Sequence, residues 1–215
     1  MQNLVGQSRP SSLFSTYQPQ TDSQQEALTR LVSLADAASR KLQALPGRPH
    51  PFSNGRIVFI SGPTGVGKSH LVEAFINDLA EKELEVAKTV FLFRGDFTSR
   101  NVSGLDQFGN CPIVVIDDLY AKYQSIEQVH GGTDIKILMQ LVTMVYEDRR
   151  LVIITSNFPL MQGISEKIRQ EDQIGRVTSR LNELMANSGE LVIEGADYRE
   201  KLAASKTADD IFGNL

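Results

Sequence analysis

Residues 61–71 read SGPTGVGKSHL and directly follow the apolar run IVFI at residues 57–60. The pattern G-x-x-x-x-G-K-[ST] is matched in full from Gly62 to Ser69. Glycines tolerate positive φ and carry no Cβ, so consecutive backbone N–H groups can turn inward around phosphate oxygens. The stretch therefore predicts a phosphate-binding loop between a buried strand and a helix.

Two side chains of this loop carry chemistry that suits a nucleoside triphosphate. Lys68 would reach the β- and γ-phosphates as a mobile cation, and the hydroxyl of Ser69 would bind Mg²⁺. A plain glycine-rich turn would not explain a lysine and a hydroxyl at these positions. For His70, packing behind the phosphate site is the alternative to a nucleotide contact. The residues predicted to bind ATP are Gly62, Pro63, Thr64, Gly65, Val66, Gly67, Lys68, Ser69 and His70.

Two further apolar runs end in polar side chains. PIVVI at residues 112–116 is followed by Asp117 and Asp118, and LVIIT at residues 151–155 leads to Asn157. Ligands of open parallel sheets bind at the carboxyl ends of strands, so these side chains are expected beside the phosphate loop. We predict that Asp117 holds Mg²⁺, that Asp118 polarises the attacking water, and that Asn157 contacts the γ-phosphate or orients the water. The alternatives are an acidic strand-to-loop junction and an asparagine that starts a loop before proline.

Composition sets the class of protein. The chain has 215 residues, 41% of them hydrophobic and 22% charged, which is typical of one globular domain. A net charge of −4 gives no whole-chain sign of nucleic-acid binding, although a local basic face is compatible with it. A single cysteine, the absence of a secretory signal, and apolar runs too short to cross a bilayer predict a cytoplasmic protein without membrane contact.

Helical and strand patterns alternate along the chain. A capping box begins at Thr21, and the helical stripe that follows it runs to about Leu45. This alternation predicts an α/β domain with a parallel sheet covered by helices on both faces and no large lid domain. We predict a flexible lead-in over residues 1–20, the main domain over 21–195 and a polar tail over 196–215. Further predicted elements are strands at residues 57–60, 90–93, 112–116, 151–155 and 190–194, helices at 70–83 and 134–147, and one or two helices over 165–186.

With these motifs the chain resembles the AAA+ ATPases. Among them it is most similar to the helicase-loader branch that includes DnaC, DnaI and the transposition helper IstB. The similarity extends from about residue 12 to residue 203. The stretches that carry it are GPTGVGKSHL, PIVVIDDL, LMQLVTMVYEDRRLVIITSNFPL, GRVTSRL and ADYRE.

The resemblance implies a P-loop NTPase of AAA+ type whose cofactors are ATP and Mg²⁺. It makes Asn157 the first sensor. Arg180 matches the arginine finger best, with Arg176 one turn earlier, and Arg199 would sense nucleotide near the chain end. A finger acts in a neighbouring subunit's site, where it stabilises charge on the transferred phosphoryl group. The alternative for the two helical arginines is a solvated face paired with acids such as Glu183.

The resemblance also implies a function. The chain is expected to hydrolyse ATP weakly until it assembles, as a helper in DNA replication or transposition. Its expected partners are further copies of itself with sites between subunits, a helicase or a transposase, and single-stranded DNA. One alternative is an ATP-dependent switch that a protein partner senses without DNA. A second is a P-loop kinase, against which the Asp-Asp strand end and the sensor asparagine argue.

Overall fold

The computed structural model describes residues 9–46, 51–82, 89–94, 108, 110–129, 134–186 and 189–198. The strands are β1 (Arg56–Ser61), β2 (Val90–Arg94), β3 (Ile113–Leu119), β4 (Leu151–Ser156) and β5 (Glu190–Val192). The helices are α1 (Asp22–Ala44), α2 (Lys68–Glu81), α3 (Lys136–Asp148), α4 (Ser165–Glu171) and α5 (Arg176–Met185). Single turns of other helix types lie at Phe14–Thr16, Ile126–Gln128 and Leu160–Ile164.

The strands form one sheet in the order β2-β3-β4-β1-β5, and every pairing in it is parallel. β4 is buried at all of its positions, and β1 is buried at every position after Arg56. Such strands are apolar along their length because helices cover both faces of a parallel sheet. The predicted α/β class and parallel sheet are confirmed.

Alternate residues of β1 point into two separate cores. Ile57 and Phe59 belong to a core formed with α3, α4 and α5. Val58 and Ile60 belong to a second core, formed with α1 and α2. Successive side chains of a strand point to opposite faces, so each face of the sheet has its own helical layer. Within the described part of the chain, no large helical lid follows β5.

The predicted end of the third strand is wrong. Asp117 and Asp118 lie within β3 rather than after it, because the ladder with β4 resumes at Leu119 beyond an irregularity in register. Of the two alternatives for residues 165–186, one helix or two, the structure has two, because the carboxylate of Asp172 accepts a hydrogen bond from the N–H of Thr178 at 2.7 Å. An acceptor of this kind satisfies a free amide at the start of a helix, so a new helix begins there.

Residues 9–17, which fall in the predicted lead-in, lie against α2. The side-chain amide of Asn77 donates to the carbonyl oxygens of Arg9 and Ser12, each at 2.8 Å. The hydroxyl of Ser12 donates to Glu73 Oε2 at 2.6 Å. The domain boundaries themselves stay predictions. Among the described helices, none combines the length and the apolarity needed to span a bilayer.

Candidate active site

The phosphate loop has the backbone that its glycines predict. Gly65 and Gly67 have φ of 81° and 96°, values that favour glycine. A Cβ built on Gly67 would lie 2.6 Å from Cε2 of Tyr17, and one on Gly65 would lie 1.9 Å from Oδ1 of Asp197. Gly67 is the N-cap of α2 and has no side chain to bind the first amides of the helix, so these amides suit phosphate oxygens.

The ammonium group of Lys68 joins the loop to the end of β4. Its Nζ donates to the carbonyl oxygens of Gly62 and Pro63, each at 2.8 Å, and to Oδ1 of Asn157 at 2.9 Å. The lysine is only 5% exposed. The structure therefore brings Lys68 and Asn157 together, as expected for residues at the carboxyl edge of adjacent strands.

Thr155 in β4 holds both acidic residues of β3. Oδ1 of Asp117 accepts hydrogen bonds from the hydroxyls of Ser69 at 3.0 Å and Thr155 at 2.7 Å. The same threonine oxygen accepts from the N–H of Asp118 at 2.8 Å. Asp118 has a φ of 63°, an uncommon conformation for a residue with a side chain. The predicted metal residues Ser69 and Asp117 are thus in contact.

The environment of Asp117 suits a dication. Burial raises the pKa of its carboxyl above the ordinary value, and the charge of Asp118 acts in the same direction. The hydrogen bonds from Thr155 and Ser69 and the charge of Arg94 lower that pKa in part. Among the described residues, no group of three or more His, Cys, Asp or Glu side chains is placed to hold a metal. Mg²⁺ commonly binds through one or two carboxylates, waters and substrate phosphates, so a hydroxyl and one carboxylate fit it.

Arg94 is a site residue that the sequence interpretation missed. Its Nε lies 3.6 Å from Oδ2 of Asp117, and its Nη2 contacts Oε1 of Glu73. Glu73 is buried in α2, so one guanidinium lies between two buried carboxylates. The sequence does contain a signal for Arg94. This arginine directly follows the apolar run VFLF and thus repeats the pattern of polar residues at strand ends.

We expect Arg94→Met to lower the free energy of unfolding by about 2 kcal/mol, because it leaves Glu73 buried without a countercharge. Removing one partner of a fully buried ion pair lowers the free energy of unfolding by about 3–5 kcal/mol. The Arg94 side chain is 28% exposed, so the loss is smaller here. Urea unfolding followed by circular dichroism measures the change. The control Arg30→Met breaks an exposed pair with Glu26 and should cost less than about 0.5 kcal/mol. Equal losses of unfolding free energy in the two variants would contradict the role of Arg94 as the countercharge of Glu73.

Glu190 is a second residue that the sequence interpretation missed. Its carboxylate accepts from the hydroxyl of Ser61 at 2.5 Å and from the N–H groups of Leu160 at 2.7 Å and Met161 at 3.1 Å. The residues that follow Asn157 are therefore tied to the end of β1. No local pattern marks Glu190, because it is an ordinary charged residue at the start of a short strand.

The two candidate finger arginines differ in their surroundings. Arg180 pairs with Glu147 at 3.0 Å, rather than with Glu183, and lies over the ring of Tyr146 at 4.9 Å. Its side chain is 13% exposed, whereas Arg176 at the start of α5 is exposed. Within the part of the chain that the structure describes, neither arginine forms an ion pair with the phosphate loop or the acidic pair. Arg199 lies outside the described residues.

His70 packs against the lead-in. Its Nε2 lies 3.0 Å from the carbonyl oxygen of Leu13 and 3.3 Å from the hydroxyl of Thr16. Its ring meets that of Tyr17 edge to face, with 5.4 Å between centroids. These contacts favour the packing alternative over a nucleotide contact for His70.

Comparison with known families agrees with this site. Residues 58–181 match the ATPase family associated with various cellular activities (AAA). The chain belongs to this family. It is 34% identical over 127 residues to the chromosomal replication initiator protein DnaA of Campylobacter jejuni, a match that covers 52% of this chain and 26% of that protein. The chain thus spans about a quarter of the length of the curated relatives it matches.

Solved structures share the AAA fold over most of the chain. DnaI superposes with a TM-score of 0.56 at 14% identity, covering 90% of this chain and 95% of that one. The DnaC helicase loader gives 0.50 at 19% identity, covering 85% and 97%. AMPPCP-bound DnaA from Aquifex aeolicus gives 0.52 at 14% identity, covering 92% and 56%. The AAA+ fold predicted from the motifs is confirmed. DnaC and DnaI, which represent the branch that the sequence resembles, share this fold.

Proposed function

We propose that this AAA protein binds Mg-ATP in the loop from Gly62 to Ser69 and hydrolyses it to ADP and phosphate. The observation that carries the proposal is a pair of contacts, Lys68 with Asn157 and Ser69 with Asp117. They join the loop to β4 and β3 at one edge of the sheet. A structural glycine turn would need neither contact, whereas a triphosphate and its metal require all four side chains in one place.

Each residue has a role in this proposal. The loop amides and Lys68 bind the β- and γ-phosphates, while Ser69 and Asp117 hold Mg²⁺. When bound, the metal neutralises charge on the phosphate oxygens. Asp118 accepts a hydrogen bond from the attacking water and polarises it. Asn157 holds that water or a γ-phosphate oxygen, and its contact with Lys68 sets its orientation.

We further propose that hydrolysis depends on a neighbouring copy of the chain. Arg176 is the better candidate for the finger, because its exposed side chain is available to another subunit. Arg180 is engaged within its own chain by Glu147 and Tyr146. The direction of α5 supports the same choice: Leu184 near its end approaches Gly55, just before β1, so Arg176 lies toward the carboxyl edge of the sheet.

We infer a role as a helper ATPase in DNA replication or transposition, in the cytoplasm, with a helicase or transposase and single-stranded DNA as partners. The support comes from relatives. Similar proteins include the replication initiator DnaA and the DnaC helicase loader, and one DnaA neighbour was solved with AMPPCP and single-stranded DNA. The net charge of −4 gives no whole-chain sign of DNA binding, and the alternative is a switch that a protein partner senses without DNA.

Phosphate release in the absence of any acceptor substrate tests the ATPase. We expect release that requires Mg²⁺ and stops when a chelator is added. The variant Asp118→Asn should bind ATP with unchanged affinity and release little phosphate. Transfer to an added acceptor without release in water would indicate a kinase and contradict the proposal.

Fluorescence anisotropy with labelled single-stranded DNA tests the nucleic-acid partner. We expect binding in the presence of a non-hydrolysable ATP analogue that weakens strongly between about 50 and 200 mM salt. Light scattering in the same samples gives the size of the assembly with and without the analogue. A mass that rises with the analogue while DNA has no effect would favour the protein-sensed switch.

A further inference from the structure

The outer side of the phosphate loop is held by donors from two other segments. The hydroxyl of Tyr17 and the side-chain amide of Gln24 both donate to the carbonyl oxygen of Val66, each at 3.2 Å. The N–H of Tyr198 donates to the carbonyl oxygen of Gly65, also at 3.2 Å. Two successive carbonyl groups of the loop are therefore bound from outside.

Peptide geometry relates these carbonyls to the phosphate-binding amides. In a trans peptide the C=O and the following N–H point in opposite directions, and no described peptide bond is cis. A Val66 carbonyl held outward directs the N–H of Gly67 inward. A Gly65 carbonyl held outward does the same for the N–H of Val66. These are the groups that a phosphate-binding loop offers to its ligand.

The two donors to Val66 are themselves fixed. Oε1 of Gln24 accepts from the N–H of Gln20 at 2.5 Å, so the amide nitrogen faces the loop. Gln24 is 5% exposed. Burial raises the pKa of Tyr17 to about 12, so its hydroxyl keeps its proton and remains a donor at neutral pH. Gln24 is thus shielded from competing water, and Tyr17 is half-buried.

We propose that Tyr17 and Gln24 are positioning residues for the polyphosphate, which they serve by fixing the Val66 carbonyl and so aiming the Gly67 amide. The inference rests on the proposed function, in which ATP phosphates bind this loop. Neither residue contacts the reacting atoms. Either bond alone holds the carbonyl, so the two residues act redundantly.

The test compares two ligands that share phosphates but not a base: Mg-ATP and Mg-tripolyphosphate, each titrated calorimetrically. Tyr17→Phe and Gln24→Met should each weaken binding by about twofold or less. The double variant should weaken binding of both ligands by about tenfold, more than the product of the single effects. The matched controls Tyr146→Phe and Gln25→Met should leave both affinities unchanged.

Three results would overturn the proposal, and they differ from one another. A loss for ATP without a loss for tripolyphosphate would indicate a contact with the base. Unchanged binding of both ligands by the folded double variant would show that the bonds do not position the loop. Wild-type protein that binds neither ligand would remove the proposed function as well. If the double variant does not fold, Tyr17→Phe combined with Gln24→Asn, whose amide is one methylene shorter, provides the same comparison.

Discussion

Lys68→Ala is expected to lower ATP turnover by about 10³-fold. The substitution removes the ammonium group that bridges Gly62, Pro63 and Asn157 and that would otherwise bind the β- and γ-phosphates. A cation that is already fixed in a buried site stabilises the charge of the transition state strongly, because no solvent has to reorganise during the reaction. Steady-state phosphate release measures the rate, and titration of a fluorescent ATP analogue measures binding.

The matched control for this loss is Lys82→Ala. Lys82 is at the end of the same helix and makes partly exposed ion pairs with Asp36 and Asp78. Turnover of this variant should stay within about twofold of the wild type, since surface pairs contribute little. Wild-type turnover in Lys68→Ala would rule out the assigned site. Equal losses in both lysine variants would point to unfolding rather than to the phosphates.

Arg176→Ala is expected to keep nucleotide affinity and to lose assembly-stimulated turnover by about 10³-fold. The reason is that a finger acts on charge that develops during phosphoryl transfer and makes little contribution to ground-state binding. Turnover is measured as a function of protein concentration, because stimulation by assembly appears only as subunits associate. Arg180→Ala should lower the rate less and lower stability by about 1 kcal/mol, through its lost contacts with Glu147 and Tyr146.

Mixing variants separates a finger from a surface role. Asp118→Asn carries an intact finger and an inactive site, and Arg176→Ala carries the reverse. In random mixed assemblies with head-to-tail interfaces, roughly one quarter of interfaces regain both parts. We expect turnover to recover toward that fraction on mixing. Recovery with Arg180→Ala rather than with Arg176→Ala would reverse the choice of finger, and recovery with neither would exclude both.

The central site could be predicted from sequence because it follows from topology. Each of Lys68, Asp117 and Asn157 lies beside the carboxyl end of an apolar run, and parallel strands bring those ends to one edge. The contact between Ser69 and Asp117 then follows from the loop motif. Arg94, the last residue of β2, obeys the same rule and was missed because an arginine at a strand end has no motif of its own.

The remaining contacts could not be predicted because they join distant segments through single side chains. Glu190 meets Leu160, and Ser12 meets Glu73, only once the sheet order has set which strands and helices are neighbours. The carboxyl end of β3 was placed too early for a related reason. Its aspartates are polar, yet the bond from Asp118 to Thr155 keeps them within the sheet.

The junction between the start of α1 and Glu194, two residues after the end of β5, bears on how the chain can be shortened. The hydroxyl of Thr21 donates to the carbonyl oxygen of Glu194, and the N–H of Glu194 donates to the hydroxyl of Ser23, both at 2.9 Å. A fragment that began at β1 would lose these bonds and would also uncover apolar side chains of the core that α1 forms with α2 and β5. The smallest stable nucleotide-binding piece therefore has to start upstream of Thr21, well before the glycine motif that first identifies it.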